Sequence, residues 1–250
     1  MDNIASYGQM DFNLPHDVIK LPSGGKFYKN KKSALKVGYL TAEDENLLMS
    51  PNLGKDGLIS RLLRQKIYEP GFDINDLIDA DVQAILVFLR NTSFGPEYNF
   101  KLIDPATNKE FEGSIILDAV DYVKPKNEPD ENGHFKTKLP KSGHEVKVKL
   151  MNMGDQKELE KIIDSYPQGF IAPVATKRLE KQILEIDEKE DREYINKIIP
   201  QLPISDSKYL RNFLNECEPK VDLVRTVIAP SGEKVTLNVG FGAEFFRPFF

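Results

Sequence analysis

From Leu21 onward the chain spells one order of turn signals twice. Leu21-Pro22-Ser23-Gly24-Gly25 returns as Leu139-Pro140-Lys141-Ser142-Gly143, each followed by an alternating strand pattern and then an acidic helix start. Val87-Phe88-Leu89-Arg90-Asn91 is paralleled by Asn212-Phe213-Leu214-Asn215-Glu216, and Pro96 by Pro219. Asp104-Pro105-Ala106-Thr107 is paralleled by Ala229-Pro230-Ser231-Gly232, and Tyr122-Val123-Lys124-Pro125 by Phe245-Phe246-Arg247-Pro248. The separations stay between 118 and 125 residues. Short turn motifs recur wherever hairpins are tight, so common turn chemistry alone is one reading. The shared order (hairpin, helices, hairpin, Pro) points to the other, an internal duplication. Each copy would then have about 110 residues, the size of an autonomous domain.

Local patterning fills in the elements. Leu35-Lys36-Val37-Gly38-Tyr39 alternates as a strand should. Thr41 is a good N-cap, with Glu43, Asp44 and Glu45 in the first turn, where the helix dipole favours anions. Leu58, Ile59, Leu62, Leu63 and Ile67 form one stripe at helical spacing over Asp56–Tyr68, and Val82, Ile85, Leu86 and Leu89 form another over Asp79–Arg90. Strand patterns follow at Tyr98–Ile103 and Phe111–Leu117. In the second copy Glu145–Leu150 alternates, and Asp155–Ile163 and Ser205–Cys217 read as helices. The charged stretch from Thr176 to Ile199 also reads as one helix, with Leu179, Ile183, Ile186, Ile195 and Ile198 inward. A last hairpin joins Val221–Ala229 to Val235–Val239. The expected fold class is α+β: two similar halves, each of β-hairpins flanking a small helical cluster. Residues 1–17 form an N-terminal arm, 18–123 the first half, 124–133 a polar linker rich in turn formers, and 134–250 the second half.

Several functions lack the residues they need. Net charge is −5 and no basic stripe is present, so no nucleic-acid partner is expected. No apolar run approaches a membrane span, and Met1-Asp2-Asn3-Ile4-Ala5-Ser6 is not a signal peptide, so no membrane partner is expected. Cys217 is the only cysteine; it reads as a half-buried small hydrophobe on a helix, and its solitude fits a reducing compartment or an assembly built inside one. His16, His134 and His144 are the only histidines, and each falls where a polar loop residue is expected. Asp79 and Asp81 sit at a helix start, which the dipole explains. Gly24-Gly25-Lys26 and Gly240-Phe241-Gly242 lack phosphate-loop spacing. No catalytic residue, cofactor-binding residue or metal ligand can be assembled, so the expectation is a non-enzymatic protein without a cofactor.

The end of the chain is unusual. Phe245, Phe246, Phe249 and Phe250 stand around Arg247 and Pro248 in the last six residues. Burying one such ring is worth about 2–3 kcal/mol, so the four must pack on their own domain or on a partner. By their parallel with Tyr122 and Val123, Phe245 and Phe246 should close their own hairpin core. Phe249, Phe250 and Arg247 have no such role and are the candidate protein interface.

These residues also carry a resemblance. Leu21-Pro22-Ser23-Gly24-Gly25, Phe27-Tyr28, Leu40-Thr41-Ala42-Glu43-Asp44-Glu45 with Leu47-Leu48, Arg90-Asn91-Thr92-Ser93-Phe94-Gly95 with Tyr98, and the closing Phe245-Phe246-Arg247-Pro248 resemble the T4-type bacteriophage baseplate protein family, whose members are described as baseplate hub or hub-assembly components. Some members carry Cys-x-x-Cys pairs in the hairpins after the helices. Here Tyr98–Phe111 and Pro219–Lys234 hold none, which argues against a structural zinc. The resemblance implies a structural component of a contractile tail baseplate, oligomeric within a larger assembly, that binds other tail proteins during virion assembly. A non-virion chaperone for the tape-measure or hub proteins is the alternative.

Overall fold

Two short aspartate-capped turns fix how the hairpins meet the helices, and the elements around them explain why. The computed structural model describes residues 15–49, 55–117, 121–167, 169–241 and 245–246. The first half contains β1 (His16–Lys20), β2 (Ala34–Gly38), α1 (Ala42–Leu48), α2 (Lys55–Lys66), α3 (Asp79–Phe94), β3 (Glu97–Ile103), β4 (Glu110–Ile116) and β5 (Tyr122–Val123). The second contains β6 (His134–Lys138), β7 (Glu145–Lys149), α4 (Met153–Asp164), α5 (Val174–Gln182), β8 (Ile183–Ile186), α6 (Arg192–Ile198), α7 (Ile204–Cys217), β9 (Lys220–Val221), β10 (Val224–Ile228) and β11 (Lys234–Asn238). Single 3-10 turns at Ile74–Asp76 and Ile199–Gln201 precede α3 and α7. Every strand pairing among the described residues is antiparallel: β1-β2, β3-β4, β5-β9, β10-β11 and the three-stranded β6-β7-β8. This is an α+β fold of small sheets packed on short helices.

Strand β1 starts within the segment expected as the N-terminal arm: His16 pairs with Gly38 and Asp17 with Val37. One sequence expectation changes. The single helix from Thr176 to Ile199 is broken. Ile183 and Ile186 lie on β8, opposite Val148 and Val146 of β7, and Asp187 and Glu188 turn the chain with positive φ values of 50° and 63°. β-Branched residues at 183 and 186 fit a pleated, half-buried surface better than a helix, and the open edge of β7 decides in favour of the strand.

The core is one cluster that takes residues from both halves, from Leu21 to Phe246. Its centre is α3, where Val82, Ile85, Leu86 and Leu89 are buried together with Ala80 and Ala84, whose small side chains let neighbours approach. Residues 124–133, expected as a linker, are fastened on both sides. Lys126 N donates to Glu216 O at 2.8 Å, Lys26 pairs with Glu128, and the Lys31 ammonium donates to the Glu131 carbonyl. The turn formers there serve bonded turns, with Asp130 accepting from the backbone N–H groups of Asn132 and His134.

The two Leu-Pro turns are held alike. Ser23 N donates to Asp81 Oδ1 at 2.9 Å, and the Tyr28 hydroxyl donates to Asp81 Oδ2. In the second half Lys141 N and Ser142 N donate to the two carboxylate oxygens of Asp206, both at 2.8 Å. Each aspartate is the third residue of its helix, α3 or α7, and each is buried. Burial raises the Asp81 carboxyl above the usual range, although its hydrogen bonds pull the other way; for Asp206 burial also opposes ionisation, but the Ser142 and Lys141 bonds hold it low. Within the first turn, Gly25 has φ +78° and an added Cβ would lie 2.5 Å from the Lys32 carbonyl oxygen, so only glycine fits.

Replacing Asp81 with alanine strands the Ser23 N–H and the Tyr28 hydroxyl in the core, at about 1–3 kcal/mol for each group. Denaturant unfolding of Asp81→Ala should show a lower midpoint, and adding Tyr28→Phe to it should recover part of the loss by removing one stranded donor. An unchanged midpoint in the single variant would show that the turn does not depend on this carboxylate.

Candidate protein-interaction site

The sequence singled out the C-terminal aromatic run, and the structure divides it. Phe245 and Phe246 are buried, at 0% and 2% exposure. Arg247, Phe249 and Phe250 lie outside the described residues. Phe246 stands edge-on to Phe245 at 5.0 Å, and Phe241 meets Phe245 edge-on at 4.8 Å. Other ring and cation neighbours come from the first half. Tyr98 of β3 lies 5.9 Å from Phe245, and the Arg90 guanidinium sits 5.2 Å from the Tyr98 ring centre and 5.9 Å from that of Phe245. The sequence expects Phe245 and Phe246 to close their own hairpin core; both are buried, and the Phe245 ring is shared between Phe241 of its own half and Tyr98 and Arg90 of the other. Tyr122, expected to pack as Phe245 does, is 48% exposed. It belongs to a two-residue strand whose backbone pairs with β9, and that pairing leaves its ring half in solvent.

Arg90 organises this region. It is fully buried in α3, four residues before the helix ends at Phe94. Its guanidinium donates to Gly95 O at 2.5 Å and to Glu97 O, which fixes the exit of the helix into β3. Burial lowers its pKa, and the two flanking rings take the place of a carboxylate. Nearby, Asp79 and Glu218 line one cleft of about 400 Å³ between α3, β9 and β11. Burial, helped by the negative charge of Asp79, pushes the Glu218 carboxyl up to about 7.

The histidines do not converge. His16 is in β1 and meets Tyr68 edge-on at 6.1 Å. His134 opens β6 and is partly buried, its Nδ1 enclosed without a hydrogen-bond partner, and burial lowers its pKa. His144 pairs with Asp187 through Nδ1 at 2.6 Å and holds that carboxyl low. The expectation of three solvated loop histidines is thus too simple: two lie in strands, and the third is hydrogen-bonded to Asp187. Cys217 is fully buried on α7, where burial raises its thiol to about 11 and Asn127 Nδ2 donates to its sulfur at 3.5 Å. Among the described residues no group of three His, Cys, Asp or Glu side chains is placed to hold a metal, and no helix is long and apolar enough to cross a membrane.

One surface escaped the sequence reading. In the connection between α4 and α5, Phe170 is 72% exposed and Ile171 94% exposed, with Tyr166 and Val174 partly uncovered beside them in sequence. The run Pro167-Gln168-Gly169-Phe170-Ile171-Ala172-Pro173 has neither helical nor strand period, and two prolines bracket it. That combination of apolar residues with no place in a regular element was the available signal.

Small antiparallel sheets on short helices around one continuous core define an α+β protein with an uncovered apolar loop. The chain belongs to the family described as T4 bacteriophage base plate protein, whose model matches residues 15–219. No curated protein and no solved structure matches it.

The Glu218 carboxyl supplies a pH test. Its folded pKa of about 7 lies above the ordinary 4.5, so the folded chain keeps a proton that the unfolded chain releases. Its contribution is fully favourable below about 4.5 and is lost as pH rises through about 7. Glu218→Gln should raise the melting temperature more at pH 8 than at pH 5. An equal effect at both values would show that Glu218 ionises normally in the folded chain.

Proposed function

We propose that this protein is a structural, non-enzymatic subunit of a contractile phage tail baseplate, which binds other tail proteins while the virion assembles. Family membership supports the baseplate role. The observation that carries the binding role is the Phe170-Ile171 loop. A large apolar pair left in water is an aggregation liability in a free protein and a contact in an assembled one. Its occupant in this reading is another protein of the same baseplate, with an uncharged apolar recess that receives an aromatic and an aliphatic side chain. Interface energy concentrates in a few such anchors. Phe249, Phe250 and Arg247 remain proposed as a second contact, on their sequence alone.

Replacing Phe170 and Ile171 with serine should leave the melting temperature of the purified protein within about 1–2 °C, because the removed side chains contribute little to the core. Incorporation into particles should drop sharply in a complementation assay, measured by quantitative proteomics of purified virions. Full incorporation of the folded variant would remove the loop from the interface. Absence of the wild-type protein from purified particles would instead favour the assembly chaperone for the tape-measure or hub proteins.

A further inference from the structure

We infer that the two halves of this chain are closed crosswise, each by the end of the other. The first half ends in Tyr122-Val123, which forms β5 and pairs with β9 of the second half: Tyr122 lies opposite Val221, and Val123 opposite Lys220. The pairing is extended by Asp222 N donating to Asp121 O at 2.8 Å. The second half ends its described residues in Phe245-Phe246, and Phe245 lies on Tyr98 and Arg90 of the first half. The two landing places correspond. Tyr98 lies four residues beyond Phe94, the end of α3, and Val221 lies four residues beyond Cys217, the end of α7.

A third contact falls between the halves where a two-fold relation would put it, tip to tip. The turn joining β3 to β4 meets the turn joining β10 to β11. Ser231 donates to the Asp104 carboxylate through its N–H at 3.0 Å and through its hydroxyl at 2.7 Å. A surface on one unit meeting the same surface on its twin, and an end of each unit seated on the other, is the pattern of a two-fold homodimer. In this chain both units are covalently joined. The aspartate clamps on the two Leu-Pro turns repeat at the same helix position, which gives the correspondence a second, independent support. The Arg90-Tyr98 surface is thus a receptor for an aromatic dipeptide, and β9 is a receptor for a short strand, both filled from within the molecule. Residues 18–123 and 134–246 are, on this reading, interlocked copies and not separate domains.

Crosswise closure predicts that damage at one end loosens the opposite half. Hydrogen exchange followed by mass spectrometry on the full chain reads this directly. Phe245→Leu, chosen to keep an apolar side chain and the fold, should accelerate exchange about tenfold in the end of α3 and in β3, residues 90–103, and leave β10 and β11 unchanged. Val123→Pro, which disrupts β5, should accelerate residues 218–223 by a similar factor and leave β3 and β4 unchanged. Acceleration of β10 and β11 alone by Phe245→Leu, uniform acceleration of both hairpins, or no change in residues 90–103 would each overturn crosswise closure.

Discussion

A carboxylate buried one turn into a helix and bonded to the backbone of a distant turn is the constraint on which this structure rests. Asp81 and Asp206 each tie a Leu-Pro turn to the helix that forms the centre of its half. Without Asp81 the buried Ser23 amide would be left unpaired, and without Asp206 the Lys141 and Ser142 amides would lose their shared acceptor. Once the turns are pinned, the strands that leave them are set in register, and the buried faces of β2 and β7 fall onto the helices. The Arg90 guanidinium acts at the other end of α3 and fixes where β3 begins. The helix thus controls one hairpin at its start and another at its end.

Much of this was legible in the sequence because local and tertiary preferences agree. The apolar stripe of α3 and the alternation of β7 predict those elements within a few residues. The α+β class follows from hairpin signals set between short helices. The failure at Thr176–Ile199 has a clear cause: the spacing of Leu179, Ile183 and Ile186 suits a helix, but the free edge of β7 captures residues 183–186. β1 was missed because Val18 and Ile19 stand next to Pro15 and a turn, with too few residues for a period to show.

The site was less legible. Asp81 reads as an ordinary acidic residue at a helix start, and its role depends on Ser23 and Tyr28, more than 50 residues away in sequence. The fate of the C-terminal phenylalanines could be read only in part. Their apolar character demanded burial, but the identity of the covering residues, Tyr98 and Arg90, is a matter of topology. Phe170 and Ile171 show the converse, since an apolar pair in a non-periodic run is as easily assigned to a core as to a surface.

The contact between Asp104 and Ser231 has a mechanical consequence. A two-stranded hairpin is weakest at its free tip, where fraying starts and no neighbouring strand resists it. Here neither tip is free, because each turn is anchored to the other by two hydrogen bonds on one carboxylate. Each hairpin is also closed at its base, where Leu117 N donates to Pro96 O and Val239 N to Leu223 O. The pair therefore forms an arch whose two limbs are each closed at the base and joined at Asp104. A pull that would peel one hairpin open from its tip must therefore also break the two bonds that tie it to the other.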